Sequence, residues 1–216
     1  SYLSGTLRSD RFKDLDGVMV DYPAYEGNYS LTGSYKNLAT EATYSSTSGT
    51  YTRELRQKYP VFYNVNAKQT KSSDPAPQEL VSVKEMQNQL VEVALTFDKP
   101  YTYSELQTML PSNLKANWYW LGTYSNYNTA SLDISNLFGF KVIKDDIKYS
   151  FDVFQTHLKN SLKDKHGLIN ISTSKGEIYS TKKELDYLNK TFKNIENCKF
   201  SGVILTGKAE NFAQLE

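Results

Sequence analysis

Apolar side chains recur along the second half of the chain at two spacings. Leu80, Val83, Met86 and Leu90 fall on one helical stripe, which predicts a helix over 78–90. Directly after it, Val91, Val93, Leu95 and Phe97 share one face of an alternating run, the period of a half-buried strand. Asp98-Lys99-Pro100 is expected to turn the chain. Thr102 followed by Glu105 has the capping-box pattern, in which the hydroxyl takes an orphan N–H and the carboxylate reaches back. The short helix it opens must stop before Pro111. Residues 117–121 read as an aromatic strand ended by Gly122. Phe151, Phe154, Leu158 and Leu162 step by three and four, predicting an amphipathic helix over 150–164. Leu185, Leu188, Phe192 and Ile195 do the same, behind a second capping-box pattern at Thr181 and Glu184. Residues 199–206 read as a strand, and Gly207 leads into a last helical turn or two around Phe212.

The first part has a different texture. Residues 1–78 are rich in Tyr, Ser, Thr and Gly, which favour extended backbone and turns. Strands are expected near 5–12, 31–37 and 61–66. The segment 39–58 is ambiguous, with a helical turn conceivable at 54–58. Residues 68–77 have linker composition: polar side chains, two prolines and no apolar anchor. The expected organisation is therefore a β-rich N-terminal lobe over 1–78 and a second domain over 79–216. The fold class is α+β, the second domain being a sandwich of helices packed on a mixed or antiparallel sheet. Residues 91–110 and 200–215 echo each other as strand, polar turn and helix, for which a ferredoxin-like layout is one solution.

Composition narrows the function. With 25 basic and 24 acidic residues the net charge is +1, which argues against a general nucleic-acid binder. Aromatic residues at 13% and balanced charge argue against a chain that stays disordered. Cys198 is the one cysteine, so neither an intrachain disulfide nor a cysteine zinc site can form. It is read as a small core filler. His157 and His166, nine apart, do not share a helix face as metal ligands would, and they read as solvated. No metal or cofactor is expected. No apolar run approaches the ~18 residues of a membrane span, and no secretory signal is present.

Motifs with chemistry are scarce. Gly202 to Ala209 nearly matches a phosphate-binding loop, but its middle is a strand core and Ala209 replaces the magnesium-binding hydroxyl. Asp14-Leu15-Asp16-Gly17 begins like a calcium loop, yet its twelfth position is Tyr25, so a turn ending a strand is the simpler reading. Asp145 and Asp146, flanked by Lys144 and Lys148, read as a solvated, self-neutralised surface. No catalytic residue is assigned, and the chain is read as a non-enzyme. Trp118 and Trp120 are the candidate ligand or partner surface: alternation sends both indoles to one sheet face, either into the core or out as an aromatic platform. Tyr22, Tyr25, Tyr29, Tyr35, Tyr44 and Tyr51 have the same two readings.

Residues 91–107, then Leu110-Pro111 and 118–122, resemble the C-terminal domain of sigma factor regulators. The run 200–207 looks like the closing strand of that family, and 7–22 looks like the stretch that follows its membrane helix. The resemblance implies the extracytoplasmic sensory or regulatory region of a membrane-anchored anti-sigma factor, a negative regulator of an extracytoplasmic-function (ECF) sigma factor in Gram-positive bacteria. It implies a membrane anchor upstream of Ser1 in a single-pass protein. The sigma factor would be bound by a cytoplasmic segment missing from this chain, and an envelope ligand or a regulatory membrane protein would be the partner on the outside. Two other readings stand beside it. A cell-envelope glycan- or peptide-binding module would use Trp118 and Trp120. An envelope hydrolase would use paired carboxylates, which need no fixed sequence spacing.

Overall fold

A computed structural model describes residues 4–30, 36–38, 43–46, 49–52, 57–58, 60–67, 78–126, 137–164, 168, 170–173 and 176–215. The chain divides into two compact units, Ser1–Pro60 and Val61–Glu216. The expected linker at 68–77 lies outside the described residues, and 61–67 belongs to the second unit.

The first unit is built on a hairpin of β1 (Ser4–Leu15) and β2 (Val18–Ser30), with β3 (Lys36–Leu38) antiparallel on β2. Asp16 and Gly17 both have positive φ, 51° and 88°, as a two-residue hairpin turn requires, and the Gly17 N–H donates to Asp14 Oδ1 at 2.7 Å. The acidic motif is thus a turn joining two strands. Arg11 and Lys13 both lie over the Tyr22 ring, at 4.7 and 4.5 Å from its centroid. A second hairpin pairs β4 (Thr43–Ser46) with β5 (Gly49–Thr52), inside the segment whose sequence is ambiguous. Tyr35, residues 31–35 of the strand expected over 31–37, and most of the 54–58 helical turn lie outside the described residues.

The second unit follows the order α1 (Leu80–Glu85), β6 (Leu90–Thr102), α2 (Tyr103–Met109), β7 (Lys115–Trp120), β8 (Gly139–Lys141), α3 (Ile147–Lys163), β9 (Asn170–Thr173), β10 (Gly176–Ser180), α4 (Thr181–Thr191) and β11 (Lys199–Lys208). A 3₁₀ turn over Ile195–Asn197 precedes β11 and another over Ala209–Gln214 follows it. The main sheet is antiparallel throughout, in the order β6-β11-β7-β8. The unit is α+β. The last strand, β11, is inserted between β6 and β7, and β7 lies between β11 and β8. In a ferredoxin-like sheet the third strand, not the last, would separate the first two.

Helices cover one face of this sheet. Tyr119, Phe140, Phe200, Val203 and Leu205 from the strands meet Leu106 of α2, Phe151, Phe154 and Leu158 of α3, and Leu185 and Leu188 of α4 in one buried cluster. The helices are readable in the sequence because each keeps a single apolar stripe. Cys198 belongs to this cluster, its Sγ 3.1 Å from the Asn194 carbonyl oxygen. Burial pushes its thiol up to about 12, which fits a structural filler.

Several expectations need correction. The helix at 78–90 is only Leu80–Glu85, because Asn88 takes left-handed backbone at φ 58° and Leu90 already starts β6. Asp98-Lys99-Pro100 does not turn the chain. It bulges within β6, where Tyr101 faces Phe200 but Thr96 already faces Gly202. Proline cannot donate to the ladder, and the Tyr101 hydroxyl donates to Asp98 Oδ1 at 2.8 Å across the bulge. The helix begun at Thr181 ends at Thr191, and Ile195 sits in its own turn, capped by Asn194. Residues 61–66 are not a strand: Asn64 accepts from Asn66 N–H at 3.0 Å and closes a turn instead.

Candidate functional site

The face of the sheet opposite the helices carries Trp118 and Trp120, as alternation requires. Trp118 is half-buried, and Trp120 is only 2% exposed. Both indoles meet Phe62, at centroid distances of 5.5 and 5.1 Å. The Tyr63 N–H fixes this segment to Thr96 Oγ1 on β6 at 3.1 Å. Gly202 makes the fit possible, since a Cβ there would sit 2.7 Å from the Phe62 ring. The near-match to a phosphate loop is therefore part of a packed strand. The tryptophan pair has an aromatic partner of its own chain where a flat ligand platform would need open space.

Beside Trp120 the segment ends in a cleft. Its volume is about 220 Å³, and it runs between the 64–66 turn, the Gly122-Thr123 corner, the C-terminal part of α4 and the first residues of β11. Gly122 adopts φ 77°, and any side chain there would strike Ser201 Oγ at 2.5 Å. Tyr187 and Phe192 supply an aromatic wall, while Asn66, Asn197 and Ser201 line it with amides and a hydroxyl. Lys199 is the one charged side chain among the described lining residues. The Nε1–H of buried Trp120 has no hydrogen-bond partner among the described residues.

The walls are tied together from behind by buried polar groups. Asn64 Nδ2 donates to the Ser125 carbonyl at 2.6 Å, and the Ser125 N–H donates to Thr123 Oγ1 at 3.2 Å. Thr123 donates in turn to Glu184 Oε2 at 2.5 Å, and the Tyr124 N–H to Glu184 Oε1 at 3.2 Å. The Ser180 N–H donates to the Tyr124 hydroxyl at 2.8 Å. Glu184 is wholly buried, and burial pushes its carboxyl up to about 7 against the pull of these donors. The second capping box is thereby corrected. Ser180 is the N-cap, so Glu184 lies one position too deep to reach back and points inward to hold 123–124. At the first one, Thr102 and Glu105 bond reciprocally as the pattern demands, with Thr102 N–H to Glu105 Oε2 at 2.7 Å.

The remaining sequence candidates are scattered. His157 is exposed on α3, and His166 lies outside the described residues. Asp146 caps α3 through Tyr149 N–H at 2.9 Å, while Asp145 lies 3.7 Å from Lys115 Nζ. Among the described residues no cluster of His, Cys, Asp and Glu could hold a metal ion, and no carboxylate lines the cleft. The cleft itself has no local signature, since its residues come from stretches between Asn64 and Ser201.

The family of this architecture is given by comparison with known protein families. The profile of the sigma factor regulator C-terminal family matches residues 83–216. The chain belongs to that family. The matched span takes in the whole main sheet, its helices, Thr123 and Glu184. It starts after Phe62 and Asn64, and after residues 7–22, for which the sequence also suggested a likeness. Neither a curated protein nor a solved structure matches the chain. Membership makes the domain part of a sigma factor regulator, with an anti-sigma regulatory role. Among the described residues no helix is long and apolar enough to cross a membrane.

Proposed function

We propose that this chain is the extracytoplasmic sensory or regulatory region of a membrane-anchored anti-sigma factor, which restrains an ECF sigma factor in a Gram-positive bacterium. The reading is carried by the family match over 83–216. It is supported by a domain whose polar groups tie segments together. Along the chain, a single membrane helix precedes the β-rich N-terminal lobe, which precedes this domain. The sigma factor is held by a cytoplasmic segment beyond that helix. Of the tryptophan pair, Trp120 lines the cleft through which a ligand or partner acts, while Trp118 packs against Phe62. Signalling requires two states that a ligand binds unequally, and a tenfold change in sigma release needs about 1.4 kcal/mol of coupling.

Topology is the direct test. Cys198 is buried and its thiol is held protonated, so it contributes little background labelling. Met109 is 52% exposed, and Met109→Cys places a reactive thiol on the surface. In intact cells carrying the full-length protein, a membrane-impermeant maleimide is expected to label this cysteine. Labelling only after permeabilisation would overturn the reading.

A further inference from the structure

The cleft beside Trp120 has the composition of a ligand site, and its lining specifies what it would take. Its walls are fixed before any ligand arrives, because the Asn64–Ser125 and Thr123–Glu184 hydrogen bonds join the turn, the corner and α4. Preorganised walls avoid the ordering cost that weakens most binding. At about 220 Å³ the space is below the range of drug-sized pockets and suits one ring. Tyr187 is half-buried and lines the cleft with an aromatic ring, and Asn66, Asn197 and Ser201 line it with amide and hydroxyl groups. Aromatic faces paired with amides and hydroxyls suit a ring that is apolar on its C–H face and polar at its rim. Lys199 adds one positive charge and no carboxylate lines the cleft, Glu105 interacting with Lys199 from outside the lining, which favours an anionic over a cationic solute.

We propose that this cleft binds one ring of an acidic saccharide, with its carboxylate at Lys199 and its ring against Tyr187. An extended peptide is disfavoured, because the lining converges on one compact space and offers no row of alternating pockets. The proposal names the class of signal for the regulatory reading and rests on that reading for its biological meaning. Binding itself is measured on the isolated chain, so it can fail while the regulatory role stands, and the reverse.

The test is titration calorimetry of the 216-residue chain with glucuronate, glucose, glucosamine and the tripeptide Ala-Ala-Ala. Glucuronate is expected to bind at least tenfold more tightly than glucose, with glucosamine weakest. Lys199→Gln, an exposed change that leaves the core untouched, is expected to remove the preference for glucuronate over glucose. Tyr187→Phe is expected to retain binding and Tyr187→Ala to weaken both sugars about tenfold, the scale of an aromatic contact. Glucosamine binding as well as glucuronate would overturn the proposal. So would a preference that survives Lys199→Gln, the absence of saturable sugar binding, or Lys199-dependent binding of the tripeptide without that of glucuronate.

Discussion

The two faces of the main sheet are built from the same strands but closed by different means. On the helix side, Phe200, Val203 and Leu205 are wholly buried among side chains from α2, α3 and α4. On the other side, cover comes from one short segment, in which Phe62 packs on Trp118 and Trp120 and the Tyr63 N–H bonds Thr96. The helix side is closed by an apolar cluster. At the rim of the other side, polar groups carry the joints: Asn64, Thr123, Ser125 and Glu184 hold three segments together around a cleft. Close-packed apolar layers fix an architecture but offer no handle to a solute, whereas buried polar joints are specific and sensitive to what surrounds them. Within one unit, the apolar cluster fixes the architecture, and the cleft lies at its margin, where α4 meets the 64–66 turn and the Gly122-Thr123 corner.

The sharpest way to break this contrast is truncation on each side. Phe200→Ala is expected to cost about 4 kcal/mol, as for large-to-small changes in a closed core, read as a lower urea midpoint of the chain. Phe62→Ala is expected to cost less, about 2–3 kcal/mol, because one covering segment relaxes more readily than a core between sheet and helices. It is also expected to raise acrylamide quenching of tryptophan fluorescence. Equal losses with unchanged quenching would show that the two faces are not closed differently.

Next in size is the pH response of the polar rim. Burial raises the Glu184 carboxyl from its ordinary 4.5 to about 7 in the fold. The folded state therefore binds the proton more tightly, and this contribution is full below about pH 4.5 and is lost as pH rises through about 7. The loss is on the order of 3 kcal/mol, since each pH unit separating the two values is worth about 1.4 kcal/mol. Glu184→Gln is expected to flatten that part of the stability profile between about pH 5 and 8 and to stabilise the unit at the upper end. A profile that Glu184→Gln leaves unchanged would assign the slope elsewhere.

The smallest effect sharpens the helix-side account. Thr102→Ala removes the cap of α2, whose hydroxyl accepts from Glu105 N–H at 3.3 Å, and is expected to cost about 1 kcal/mol in urea unfolding.

Elements whose information is local are legible in the sequence. The first capping box, the stripe of α3, and strands β7 and β11 each carry their pattern within a few residues. Glu184 defeats the same logic, because a Thr three residues before a Glu specifies a capping box only when the Thr is the N-cap. Here Ser180 takes that place and burial decides the direction of the carboxylate. Residues 61–66 have strand composition, but Phe62 finds its partners on a sheet formed by residues beyond 90. Short strands such as β8 and β9 lack the length for a period to show. The cleft is invisible for the same reason as the Phe62 cover: contacts far apart in sequence create it, and no single stretch records it.

The division of labour between core and cleft is tested most directly in cells, with a sigma-dependent reporter measured against the abundance of the full-length regulator. Tyr187→Ala and Lys199→Gln alter the cleft rim, and Phe200→Ala alters the helix side. The expected result is a reporter shift of several-fold for the cleft variants at unchanged abundance, while Phe200→Ala acts through lost protein. A reporter that follows abundance alone in all three would contradict the assignment of regulation to the cleft.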